Sequence, residues 1–182
     1  FRPTSCGKAV DRMEIRIDSP DPFKQVGEIL TKGMNVMDGY YNNPEASNTV
    51  LSPDGWLHTG DLGVLDPDGY LYIKGRSKSL ILGPSGQNIY PEEIEDLLNA
   101  QPYIAESLVI EREGKLVALV YPDAEAMKQN KISREALLKI IHETRKQINQ
   151  QLPAYSQIAK VTIYNEEFEK TPKKSIKRFL YQ

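Results

Sequence analysis

Cysteine is almost missing from this chain: Cys6 is the only one among 182 residues. That excludes an internal disulfide and any cysteine-rich zinc site. Histidine is nearly as scarce, and His58 and His142 lie too far apart in sequence to make a metal-ligand spacing. An excess of one charge is missing too. A formal net charge of -2 gives no general attraction to nucleic acid or to an acidic membrane surface. No apolar run approaches membrane-spanning length, and Phe1-Arg2-Pro3-Thr4 does not look like a signal peptide. Internal repeats and low-complexity tracts are absent. What remains is an ordinary globular composition, 40% hydrophobic and 26% charged, on a chain long enough to bury a real core. One thiol and no disulfide framework make a reducing cytoplasm the expected setting. The chain opens at Phe1 without a methionine, and we expect a piece of a longer polypeptide.

The first part, to about Lys74, is rich in turn signals and short alternating runs. Met13-Glu14-Ile15-Arg16-Ile17 and Gly27-Glu28-Ile29-Leu30-Thr31 read as strands. A short helix is expected from Pro44, with proline at its first position, to about Val50. Asp66-Pro67-Asp68-Gly69 is a turn joining Gly63–Leu65 to Tyr70–Ile73 as a hairpin. After Gly75-Arg76-Ser77-Lys78 the pattern changes. Pro91 starts a helix with Ile94, Leu97 and Leu98 at helical spacing and Glu92 and Glu93 in its first turn. Ser107–Glu111 and Leu116–Tyr121 form a hairpin turned at Glu113-Gly114-Lys115. Ser133 caps a long helix carrying Leu137, Ile141, Ile148 and Leu152 on one face, and Pro153 ends it. Val161 and Ile163 mark one more strand, and the residues from about Ser175 read as a short basic helix. This second part is a compact α+β unit of small-domain size.

Between Gly55 and Glu95 lie the residues with chemistry in them. Thr59-Gly60-Asp61 reads as a turn carrying a carboxylate, which can accept two hydrogen bonds from a vicinal diol or serve only as turn chemistry. Gly75-Arg76-Ser77-Lys78 is either a solvated basic turn or a second donor site beside a pivot. Gly83-Pro84-Ser85-Gly86-Gln87-Asn88 lacks the Gly-Lys-Ser/Thr ending of a phosphate loop, but its glycines permit close approach to a ligand. His58 flanks the carboxylate with no orienting acid visible in the sequence, so packing or plain exposure is expected for it. The basic run Lys173-Lys174-Ser175-Ile176-Lys177-Arg178 is too local to argue for nucleic-acid binding.

Taken together, Thr59-Gly60-Asp61, Gly75-Arg76-Ser77-Lys78, the Gly83–Asn88 loop and Pro91-x-x-Ile94-Glu95 resemble, in that order, the motifs of the adenylate-forming ligases, and within them the acyl-CoA synthetases. Gly27-Glu28-Ile29 and Met37-x-Gly39-Tyr40-x-Asn42-x-Pro44-Glu45 fit the same family. The wording of Ile81–Pro91 looks most like the long-chain fatty acyl-CoA synthetases.

That resemblance implies an ATP-dependent reaction in two steps: a fatty acid becomes an acyl-adenylate, releasing pyrophosphate, and the CoA thiol then displaces AMP. It implies an α+β fold in which residues 1–75 are the last sheet-rich segment of a large N-terminal adenylation domain, 76–79 a hinge, and 80–182 a mobile C-terminal domain with a small mixed sheet flanked by helices. Asp61 would grip the ribose hydroxyls, Arg76 would assist at the ribose or phosphate, Lys78 would be the pivot, and Gly86 would lie beside the pantetheine arm of CoA. Aligned on Ile176, Lys177 and Arg178, the family's catalytic lysine, which bridges the substrate carboxylate and the α-phosphate, falls on Ser175; Lys174, or else Lys173, is the replacement. Mg²⁺ would arrive with ATP, with no ligands for it in this stretch. The rest of the N-terminal domain is the implied partner, without which the chain is expected to be inactive, and peripheral membrane association of the parent stays open. A carrier-protein acceptor, as in adenylation domains and fatty acyl-AMP ligases, or a non-catalytic binding module, are the alternatives.

Overall fold

The structure, a computed structural model, describes residues 2–182. It falls into two compact units, the first ending at Lys78 and the second running Ser79–Gln182.

The first unit is a four-stranded antiparallel sheet in the order β1-β2-β3-β4. Its strands are β1 (Met13–Asp18), β2 (Gly27–Gly33), β3 (Leu57–Leu65) and β4 (Leu71–Arg76). Alternation puts Ile17, Ile29 and Leu71 in a small shared core, with Ile15 and Leu65 packed against it. Gly27 allows β1 and β2 to close up, since a Cβ there would sit 2.2 Å from the Asp18 carbonyl oxygen. The short helix α1 (Pro44–Val50) starts on the Asn43 side chain, which accepts from the Ala46 amide at 3.0 Å. Asp66 builds the β3–β4 turn, its Oδ1 accepting from the amides of Asp68 and Tyr70, each at 2.9 Å.

The second unit begins with the two-stranded pair β5 (Ile81–Leu82) and β6 (Asn88–Ile89), then α2 (Pro91–Asn99). A mixed sheet follows: β7 (Ile104–Arg112) is antiparallel to β8 (Lys115–Pro122), which is parallel to β9 (Ile158–Ile163). The crossover from β8 to β9 holds α3 (Ala124–Gln129) and α4 (Arg134–Gln151). Central β8 is apolar on both sides, which is why Leu116–Val120 reads as a continuous hydrophobic run. Leu116, Ala118 and Val120 meet Ile94 and Leu98 of α2 and Leu137, Ile141 and Ile148 of α4. Val117 and Leu119 face the other way, onto Phe168 with Tyr164, Ile176 and Tyr181 around it. Helices thus cover one face of the sheet, and a non-helical C-terminal segment covers the other.

Three local expectations change. Thr59-Gly60-Asp61 lies within β3 as a bulge, not in a turn. Gly75 and Arg76 likewise end a strand, and only Ser77–Ser79 turns, as a single 3₁₀ turn. The tail from Ser175 is not a helix: Lys170 and Ile176 pair as a β-bridge, and the sole helical turn there is Arg178–Leu180. Helix α3 was not foreseen. At six residues, capped by Asp123, it is too short to show a periodic apolar face.

Candidate functional site

Between Glu28 and Leu30, a single residue of β2, Ile29, stands opposite three residues of β3, Thr59, Gly60 and Asp61. Two extra residues therefore bow out of the ladder. Gly60 takes φ +73°, a left-handed conformation that suits glycine. The backbone groups freed by the bulge are taken up by side chains. Glu28 Oε1 accepts from the Gly60 amide at 2.9 Å, the Thr59 hydroxyl donates to the Ile29 carbonyl at 2.7 Å, and the Ser77 hydroxyl donates to the Gly60 carbonyl at 3.1 Å. The bulge carries Asp61 directly across from Arg76 in β4, with Arg76 Nε 2.6 Å from Asp61 Oδ1. The Asp61 side chain is 28% exposed, enough to meet a ligand. A cavity of about 330 Å³ adjoins the bulge, with Glu28, Thr49, His58, Gly60, Arg76 and Lys78 in its wall. Asp61 is not part of that wall.

His58 is neither simply packed nor simply exposed. Its Nδ1 lies 2.9 Å from Glu28 Oε2, so an orienting carboxylate exists after all. Sequence reasoning missed it because Glu28 is 30 residues away, and only the β2–β3 register brings the two together.

In the second unit, the loop between β5 and β6 is closed by Gly83 N–H donating to the Gln87 carbonyl at 2.8 Å and Gly86 N–H donating to the Gly83 carbonyl at 2.9 Å. Gly86 has φ +80°, and a Cβ there would meet nothing within 4 Å, so conformation and not crowding selects glycine. A cavity of about 500 Å³ lies against this loop, with Ile81, Leu82, Pro84, Gln87, Lys115 and Tyr155 in its wall. Gln87 Oε1 is buried without a hydrogen-bond partner among the described residues.

The C-terminal segment is pinned at several points. Tyr164 stacks on Phe168 with ring centroids 5.2 Å apart, and Tyr181 meets both rings edge-on. Arg178 reaches Glu95 on α2, lies 3.6 Å from Glu92, and donates to the Val109 carbonyl at 3.3 Å. Glu95 Oε1 in turn accepts from the Val109 amide at 2.6 Å. Burial pushes the Glu95 carboxyl up to about 7, against the opposing pull of Arg178 and of the Val109 amide. Lys170 is held in ion pairs. It sits between Glu106 at 2.7 Å and Glu167 at 2.6 Å, and those partners raise its pKa. Lys174 instead is exposed at the tip of the hairpin closed by the Lys170–Ile176 bridge, with φ +63°.

Of the residues singled out from sequence, Asp61 and Arg76 are brought into contact, and Lys78 shares the cavity wall with Arg76. Gly86 and Lys174 belong to the second unit, on separate loops. Among the described residues no cluster of three or more His, Cys, Asp or Glu could hold a metal ion. No helix among them is long and apolar enough to cross a membrane.

Comparison with known proteins bears on the whole arrangement. The family described as AMP-binding enzyme C-terminal domain matches residues 78–181. The chain is 44% identical over 124 residues to an indoleacetate–CoA ligase of Aromatoleum aromaticum, covering 64% of this chain and 24% of the ligase. It is 40% identical over 121 residues to a long-chain-fatty-acid–CoA ligase of Gallus gallus, covering 66% of this chain and 16% of that protein. The O-succinylbenzoate coenzyme A synthetase of Bacillus subtilis, solved in complex with AMP, superimposes with a TM-score of 0.76 at 30% identity, over 98% of this chain and 35% of that one. The chain thus spans a quarter or less of the length of these two curated relatives.

Proposed function

We propose, since this chain belongs to the AMP-binding enzymes and carries their C-terminal domain, that it is the C-terminal part of an ATP-dependent acid–CoA ligase. The observation that carries the reading is the bulge that sets Asp61 against Arg76, a partly exposed carboxylate and guanidinium fixed at 2.6 Å. Asp61 accepts hydrogen bonds from the ribose hydroxyls, while Arg76 holds the carboxylate in place and adds positive charge toward the phosphate. Lys78 is the pivot between the nucleotide-binding segment and the C-terminal domain, hinging residues 76–79. Support for this comes from its place in the single 3₁₀ turn where one compact unit ends and the next begins. Gly86 presents open backbone to the pantetheine arm of CoA, and the unpartnered Gln87 oxygen in the neighbouring cavity suits an amide N–H of that arm. Lys174 supplies the positive charge of adenylation. Mg²⁺ accompanies ATP, with its ligands outside this stretch.

The acid is a fatty acid in this reading, on the wording of Ile81–Pro91 and the similarity to the Gallus gallus ligase. The test is pyrophosphate and AMP release by the full-length enzyme with ATP, Mg²⁺ and a panel of fatty and aryl acids, with and without CoA. Sustained turnover with long-chain acids only when CoA is present is the expected result. Turnover with aryl acids alone overturns the fatty-acid assignment, release indifferent to CoA means a carrier-protein acceptor, and no release with any acid means a non-catalytic module.

Asp61→Asn keeps the shape and removes the charge. Nucleotide binding by the full-length enzyme is expected to weaken about 10- to 30-fold, the worth of one charge-assisted hydrogen bond at about 1.5–2 kcal/mol. Calorimetric titration with AMP measures it, and an unchanged affinity would remove Asp61 from the ribose.

A further inference from the structure

We propose that Glu28 is a positioning residue for the Thr59–Asp61 bulge, holding the His58 ring and the Gly60 amide at once and thereby fixing where Asp61 stands. The proposal deepens, and rests on, the reading of Asp61 as the ribose ligand.

The bulge creates the need. Two extra residues in β3 remove ladder partners opposite Ile29, and the Gly60 N–H is one of the groups left over. Glu28 Oε1 accepts it at 2.9 Å, and Glu28 Oε2 takes the His58 ring at 2.9 Å. One carboxylate therefore grips the bulge at its entry, residue 58, and at its apex, residue 60. Its side chain is 27% exposed and His58 is 38% exposed, so neither contact is fully shielded, but they share one rigid group anchored on β2. Thr59 ties the intervening residue to the Ile29 carbonyl and also accepts from the Asp61 amide at 3.1 Å. Asp61 is thus two hydrogen bonds away from the strand that carries Glu28.

The chemistry requires glutamate specifically. The Gly60 amide and His58 Nδ1–H are both donors, and a carboxylate offers an acceptor to each. Glutamine has one acceptor and one NH₂, so it can keep both contacts only by moving the His58 ring proton to Nε2, and each contact then loses its charge assistance. Glu28 also fixes the histidine tautomer: the ring proton sits on Nδ1, facing the carboxylate, and Nε2 is the other nitrogen of a residue in the cavity wall.

Three measurements test this. In the full-length enzyme, ¹⁵N NMR of histidine is expected to show His58 as the Nδ1–H tautomer at pH 8, and Glu28→Gln to shift it toward Nε2–H while moving the Gly60 and Asp61 amide resonances. In the full-length enzyme, Glu28→Gln is expected to raise KM for ATP about tenfold, with kcat and the KM for the acid within about threefold. The double variant Glu28→Gln/Asp61→Asn is expected to bind AMP no more weakly than Asp61→Asn alone. An Nε2–H tautomer in the unmodified chain, or amides of Gly60 and Asp61 that ignore Glu28→Gln, overturns the proposal. An unchanged KM for ATP in an active enzyme overturns it as well. If the full-length enzyme consumes no ATP with any acid, the ligase reading fails by itself, and the NMR result still decides whether Glu28 sets the bulge.

Discussion

Arg178→Ala is expected to loosen the second unit much more at pH 8.5 than at pH 5. Glu95 is the reason. It is buried on α2 with its two oxygens committed to the Val109 amide and to Arg178, and burial has raised its pKa to about 7. Its unfolded value is near 4.5. Between these two values the folded chain keeps a proton that the unfolded chain has released, so stability is fullest below about 4.5 and falls as pH rises toward 7. The span is worth about 3 kcal/mol. Taking away Arg178 removes the cation that opposes burial, so the Glu95 pKa moves higher still and the loss extends above pH 7.

At pH 5 the carboxyl is protonated in the folded state, and the variant gives up the Arg178 bond to Val109 and some packing, about 1–2 kcal/mol. At pH 8.5 it must either bury an uncompensated carboxylate or take up a proton, and the loss is expected to be about 3–5 kcal/mol. Hydrogen exchange of the Leu108–Ile110 amides reports the second unit alone, whereas the lone Trp56 reports the first. Equal losses at the two pH values would mean that Glu95 does not titrate as its burial dictates.

Periodicity explains why so much of the second unit could be read in advance. Ile94 and Leu98, then Leu137, Ile141 and Ile148, repeat at helical spacing and form one core. The same periodicity carried a signal that was passed over: Glu95 lies four residues after Pro91 and three before Leu98, on the buried stripe of α2. A carboxylate on such a stripe needs a partner, and only tertiary structure names Arg178, 83 residues on. In the first unit the motif was visible but its geometry was not. Glycine beside aspartate signals a turn and a bulge equally well, and the difference lies in strand register, which no local spacing encodes. The Glu28–His58 pair was hidden for the same reason.

Register also bears on the lysine proposed for adenylation, where Lys174→Gly is the most informative substitution. Thr171 accepts from the Lys174 amide at 2.8 Å, and the Thr171 amide donates to the Ser175 carbonyl at 2.8 Å. Pro172 follows Thr171, where its fixed φ near -65° favours turning, and Lys174 closes the loop in the left-handed region at φ +63°. That is a type I turn followed by a bulge, a three-residue hairpin loop whose last position favours glycine. Lys174 stands there at a backbone cost of about 1 kcal/mol. Glycine at 174 therefore preserves or improves the loop and removes only the charge. In the full-length enzyme, Lys174→Gly is expected to slow acid-dependent pyrophosphate release by about 10²- to 10³-fold, the loss seen when a preorganised contact to developing charge is deleted. Lys173→Ala is expected to stay within about twofold. Ser175 is the competing position, since its amide lies 3.3 Å from the Thr171 hydroxyl at the base of the same loop and its side chain brings no charge. If Lys174→Gly keeps its rate while Ser175→Lys accelerates the native enzyme, the charge belongs at 175 and Lys174 is only the residue that closes the turn.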